Sequence, residues 1–120
     1  MIKVDADKTI RVSRGDGFSL NVSANGGEYE FQPNDVVRLR VYIKKGYEEE
    51  PLLDVSRTVT EETTSVVLNV TKEQNVFSGD INKPMTYWYE ISLNEDKTII
   101  GYDEDGAKLF IVYPAEEGVF

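Results

Sequence analysis

The sequence predicts an all-β sandwich, and three observations lead there. The stretch Met85 to Leu93, Met-Thr-Tyr-Trp-Tyr-Glu-Ile-Ser-Leu, is rich in strand-forming residues that alternate with period two. Met85, Tyr87, Tyr89, Ile91 and Leu93 share one face, and Thr86, Trp88, Glu90 and Ser92 share the other, as in a strand with one side in a core. Similar runs recur along the chain, broken by turn residues roughly every eight to twelve positions. Helical signals are confined to a short stretch around residues 71–80, where Thr71 and Gln74 have the spacing of an N-cap and its third residue and Gly79 is a stop.

Taken in order, strands are expected near Thr9 to Ser13, Phe18 to Ser23, Val36 to Lys44, Leu53 to Thr60, Ser65 to Val70, Met85 to Leu93, Thr98 to Tyr102 and Lys108 to Tyr113. Phe18, Leu20 and Val22 point one way along their strand, and Val66, Leu68 and Val70 do the same along theirs. In the Val36 run, Val37, Leu39, Val41 and Ile43 form an inner face, leaving Arg38, Arg40, Tyr42 and Lys44 outside. The five consecutive apolar or aromatic residues Leu109 to Tyr113 do not choose a face. Either Leu109, Ile111 and Tyr113 or Phe110 and Val112 turn inward, which suits a central strand or one whose second face meets a partner. Asn25-Gly26-Gly27 supplies the positive φ angles of a tight reversal, Asn94 to Lys97 fits a four-residue hairpin loop, and Asp103 to Gly106 ends on a glycine suited to a left-handed position.

The 120 residues, 40% of them hydrophobic and 29% charged, describe one soluble globular domain, with an ordered core expected over about residues 8–114. No run approaches the roughly 18 apolar residues of a membrane helix. The N-terminal Met-Ile-Lys-Val-Asp-Ala-Asp-Lys has no signal-peptide core, so no export by that route is expected. With no cysteine and no histidine, disulfides, zinc–thiolate sites, thiol nucleophiles, Ser-His-Asp triads and imidazole metal sites all fall away. The net charge of −9 is concentrated in the C-terminal half, where residues 61–120 carry 4 basic against 12 acidic residues. Clustered Lys and Arg are what bind phosphate backbones and anionic lipid, so a protein partner is expected rather than nucleic acid or membrane.

Asp103, Asp105 and Gly106 open like a calcium loop, but Ala107 and Lys108 follow where a third ligand would stand, so a hairpin turn is expected and no metal. Glu48, Glu49 and Glu50 beside Pro51 read as a solvated loop, and Arg38, Arg40 and Lys44 as a stripe paired with acidic cross-strand neighbours. No carboxylate pair is marked out in a cleft, so neither catalytic residues nor a cofactor are expected. Trp88, Tyr42 and Tyr47 are the residues expected to contact a partner or, in the alternative, to stack on a sugar. Tyr87 and Tyr89 have the spacing of a tyrosine corner.

Three segments carry a family likeness: Thr9-Ile10-Arg11-Val12-Ser13-Arg14-Gly15-Asp16 leading to Phe18-Ser19-Leu20-Asn21-Val22; Phe31-Gln32-Pro33-Asn34-Asp35-Val36-Val37-Arg38-Leu39; and Tyr87-Trp88-Tyr89-Glu90-Ile91-Ser92-Leu93 with Phe110-Ile111-Val112. Together they resemble the immunoglobulin-like N-terminal module of phage baseplate upper proteins and related tail proteins of phages and prophages of Gram-positive bacteria. The resemblance implies a single immunoglobulin-like antiparallel β-sandwich of seven to nine strands, with at most one short helical turn near residues 71–78. It also implies a non-enzymatic virion structural protein, made in the bacterial cytoplasm, that docks other tail or baseplate proteins, with copies of itself among the expected partners. The longer members continue into a helical linker and further domains, whereas this sequence stops at Phe120. The competing expectation is a carbohydrate-binding or adhesin-type β-sandwich.

Overall fold

The computed structural model describes residues 2–43, 50–101 and 107–114. Nine strands run in the order β1 (Ile2–Val4), β2 (Ile10–Ser13), β3 (Phe18–Val22), β4 (Val36–Tyr42), β5 (Leu53–Thr58), β6 (Val66–Val70), β7 (Met85–Leu93), β8 (Lys97–Ile100) and β9 (Lys108–Tyr113). They form the expected all-β sandwich. One sheet has the order β1-β2-β9-β7-β4-β5 with β8 also on β7, and the other is the pair β3-β6.

The nine residues of β7 organise the large sheet. One edge pairs along β4, from Tyr42 opposite Trp88 to Val37 opposite Leu93. The other edge is shared, with Met85 to Tyr89 on β9 and Ile91 to Leu93 on β8. A bulge between Ile91 and Ser92 shifts the register with β8, the kind of irregularity that bends a strand away from its neighbour. One pairing departs from the antiparallel expectation, because β2 lies parallel to β9. A parallel pair needs a long connection between its strands, and here nearly the whole domain supplies it. Alternation reports which face a residue takes and is silent on strand direction.

The inner faces are those the alternation indicates. Phe18, Leu20, Val22, Val66, Leu68 and Val70 from the small sheet meet Val37, Leu39, Val41, Tyr87, Tyr89, Ile91 and Leu93 from the large one, and all are buried. The undecided strand β9 is central, between β2 and β7. Phe110 and Val112 are its inner residues, and Leu109, Ile111 and Tyr113 are half-buried on the outer face. Rings organise this centre: Phe110 lies 6.1 Å from Phe18, 6.0 Å from Phe77 and 6.4 Å from Tyr89 between centroids.

Three details differ from expectation. Ile43, expected inside, is 50% exposed because β4 ends at Tyr42 and the chain bends. A strand at Ile2–Val4 precedes the expected core and hydrogen-bonds to β2 at the sheet edge. Leu93 pairs with Lys97, so the hairpin loop is Asn94 to Asp96, with Asn94 and Glu95 at φ 54° and 65°. Asparagine is one of the residues that suit that left-handed region. Here the Asn94 amide is also anchored, its Oδ1 accepting the Val36 N–H at 2.8 Å and its Nδ2 donating to Asp35 at 3.1 Å.

The 71–80 segment forms the predicted reciprocal cap without a helix behind it. Gln74 N–H donates to Thr71 Oγ1 at 3.1 Å, and Thr71 N–H donates to Gln74 Oε1 at 2.8 Å. Residues 72–78 are turns, and Gly79 sits at φ 69°. The competing force is tertiary. Asn75 is drawn to the carbonyls of Ser13 and Asp16, and the Phe77 ring packs edge-on to Tyr87 at 5.3 Å, which a continuing helix would not allow together. The described residues contain a single 3₁₀ turn, at Asn25–Gly27, where Gly26 and Gly27 take the positive φ expected of them.

Candidate partner-binding face

The outer face of the large sheet carries Trp88 and Tyr42, two of the three residues singled out in the sequence. Register places Tyr42, Trp88 and Leu109 in one row across β4, β7 and β9. The next row along β9 joins Thr86, Ile111 and Arg11 through β7, β9 and β2. Trp88, Leu109, Ile111 and Tyr113 are each half-buried, so the centre of this face is an apolar strip that neighbouring side chains cover only in part. Tyr42 is different. Its ring is 5% exposed, and its hydroxyl donates to Glu90 Oε1 at 3.0 Å. Burial, reinforced by the Glu90 charge, holds the phenol above its ordinary pKa. Tyr42 therefore supports the face more than it presents itself. Tyr47 and Tyr102 lie outside the described residues, as do Lys44, Glu48, Glu49 and the Asp103 to Gly106 turn.

On the β4–β5 side, Arg38 and Arg40 of the basic stripe are paired as expected. Arg38 makes a two-pronged contact with Asp54, Nε to Oδ1 at 2.6 Å and Nη2 to Oδ2 at 2.5 Å, and its Nη1 contacts Glu95. Arg40 donates to Glu95 at 3.0 Å and lies 3.8 Å from Glu90. The Arg38 hydrogen bonds hold the Asp54 carboxyl below the usual carboxylate range, and the Arg38 guanidinium is raised in turn. This belt joins three strands and a hairpin loop and occupies its charges internally. On the opposite side, Arg11 Nε donates to Asp5 at 2.9 Å and its Nη1 to the Tyr113 hydroxyl at 2.6 Å. Ser92, on the same outer face, is buried with no hydrogen-bond partner for its Oγ among the described residues.

Of the tyrosine pair, Tyr89 donates its hydroxyl to the Lys8 carbonyl at 2.5 Å. That bond spans β7 and the turn before β2 rather than a corner a few residues upstream. Tyr87 stays in the core, where burial raises its pKa.

An open hollow of about 640 Å³ lies where β8 and β9 part, walled in part by Asp7, Lys8, Thr9, Gly101 and Lys108. Asp7 is the one carboxylate among its described lining residues, and hydrogen bonding from Thr9 holds it below its ordinary pKa. Among the described residues there is no group of three or more acidic side chains able to hold a metal ion, and no helix long and apolar enough to cross a membrane.

Sequence reading left Leu109, Ile111 and Tyr113 undecided between the two faces of a strand that is central or meets a partner. The signal was present in the unbroken apolar run, but only the register against Trp88 and Arg11 shows that its outer half continues the Trp88 strip. No protein-family model matches the chain, and no curated protein matches it.

Proposed function

We propose that the protein is a non-enzymatic structural component of a phage or prophage virion, a baseplate or tail adaptor that works through protein–protein contacts. The observation that carries this reading is the outer face of the large sheet. A half-exposed aromatic and aliphatic strip through Trp88, Leu109 and Ile111 runs between two belts whose charges are already paired. Interfaces gain most from apolar and aromatic anchors inside a polar rim, and pre-paired rim charges reduce the desolvation cost of docking. The sequence likeness to baseplate modules adds the kind of partner: other tail or baseplate proteins, with copies of the same chain as a further contact within the particle.

Sugar stacking would call for an open ring beside Trp88, and Tyr42 is closed off by its neighbours.

The testing experiment combines binding and assembly. The chain is expected to co-purify in fixed ratio with named tail or baseplate proteins of the particle it comes from, and to give no reproducible signal on a glycan array. Glycan binding that disappears in Trp88→Ala would overturn the adaptor reading in favour of a carbohydrate-binding sandwich.

A further inference from the structure

The small sheet stops short of the large sheet beneath it. β6 sits at the β5 end, because Arg57 of β5 donates from Nη1 to the Val67 carbonyl at 3.0 Å. β3 lies towards the other end, with Phe18 against Phe110 of β9. Beyond β9 the large sheet runs on through β2 to β1, whereas among the described residues no strand continues the small sheet past β3. The floor of the core therefore extends beyond its roof. Ile2 pairs with Val12 and Val4 with Ile10, and residues directly opposed across a ladder share a face. Ile2 and Val4 thus stand on the same face as the buried Ile10 and Val12, yet they are 41% and 48% exposed.

The edge of β3 above this ledge is open to a further strand. Val67 turns its carbonyl to Arg57, away from β3, so Asn21 opposite it turns its own N–H and C=O to the free edge. Ser19, two residues back on the same strand, does likewise. Phe18–Val22 contains no charged residue and no proline, the devices that ordinarily discourage pairing at an edge. The other edges have them. β1 carries Lys3 at its centre, β5 follows Pro51 and carries Asp54 and Arg57, and Arg57 also takes up a carbonyl on the second side of β6.

The ledge decides what can pair there. A second copy docking its own β3 against this one would bring its β1 ledge in on the same side, and the two floors would have to occupy one space. An extended segment carries no sheet beneath it and meets no such obstacle.

We propose that an extended segment of a partner protein adds to β3 as the third strand of the small sheet. Its backbone hydrogen-bonds to Ser19 and Asn21, and its alternate apolar side chains close over Ile2 and Val4. The side chains between them are polar and stand beside the exposed Ser19 and Asn21. The site lies on the opposite side of the large sheet from the Trp88 strip, so it does not rest on the adaptor reading.

The test uses the intact chain and a capped peptide of alternating valine and threonine between terminal lysines. A control peptide has the same residues with its valines grouped. With the alternating peptide bound, amide exchange at Ser19 and Asn21 should slow about tenfold, and the methyl resonances of Ile2 and Val4 should shift. The control should bind about tenfold more weakly. Ile2→Ser and Val4→Ser, each shown to be folded by its melting curve, should weaken binding of the alternating peptide to a similar extent, because each removes one aliphatic contact, about tenfold in affinity. No binding at about millimolar peptide, equal binding of the two peptides, unaltered affinity in both variants, or protection that spares Ser19 and Asn21 overturns the proposal. A chain that dimerises by itself and protects those two amides also overturns it, in favour of a second copy at this edge.

Discussion

Ile91 and Ser92 are adjacent on β7 and point to opposite faces, so substituting each by alanine tests the register of the whole sheet. Ile91 is 2% exposed in the core. Truncation to alanine removes buried methylene and methyl groups and leaves a cavity between the sheets, a loss of about 2–5 kcal/mol. Ser92 is as well buried, at 5%, but its Oγ has no hydrogen-bond partner among the described residues. A buried hydroxyl without a partner bears a desolvation penalty of about 1–3 kcal/mol, so Ser92→Ala should be neutral or stabilising by up to about that amount. Burial alone would therefore rank the two sites together, whereas packing and hydrogen bonding rank them apart with opposite signs. Urea unfolding followed by tryptophan fluorescence reads the difference through Trp88, the only tryptophan. The expected pattern is a lower midpoint for Ile91→Ala and an unchanged or higher one for Ser92→Ala, with similar slopes. In thermal melts, about 3–5 °C per kcal/mol applies to a domain of this size. Equal losses at the two positions would refute the reasoning, because they would mean that β7 does not present Ile91 to the core and Ser92 to the outer face.

Other consequences can be measured in the same way. Tyr89→Phe removes the hydroxyl that reaches the Lys8 carbonyl and should cost about 1–2 kcal/mol in chemical unfolding. Asn75→Asp replaces a buried double donor by a carboxylate facing the Ser13 and Asp16 carbonyls, so the loss should exceed that of Asn75→Ala and grow as pH rises through the carboxylate range. Asp54 has a folded pKa below its unfolded value because of Arg38. Its contribution is complete above the unfolded value of about 4 and is lost as pH falls below it. Asp54→Asn should therefore shallow the acid limb of the stability profile while lowering stability at neutral pH, and an unchanged acid limb would count against the Arg38 pairing.

The legible part of this fold was the part that depends on side-chain alternation. The Met85–Leu93 strand and the Lys108–Tyr113 strand appear with the bounds read from sequence, because both faces of each are written in the residues themselves. Ile43 was misplaced because alternation cannot say where a strand stops. The parallel β2–β9 pair was hidden because either direction gives the same faces. At Thr71–Gln74 the local signal was real, since both capping bonds form. It was overruled by Asn75 and Phe77, whose partners are 59 or more residues distant for the Asn75 bonds and invisible to any local window. For the candidate face, Trp88 could be read as outward from its strand alone. That Tyr42 is closed beneath it, and that Leu109 and Ile111 extend it, follows only from cross-strand register.

The adaptor reading meets its most direct test in the particle. Virions or induced prophage particles from the organism that encodes this chain can be purified and analysed by quantitative mass spectrometry, with wild-type protein and a folded Trp88→Ser variant supplied in turn. The account predicts wild-type chain in fixed ratio to the tail or baseplate proteins and depletion of the variant, with its melting curve showing that it remains folded. Wild-type chain missing from the particles, or a variant incorporated as well as wild type, would contradict it.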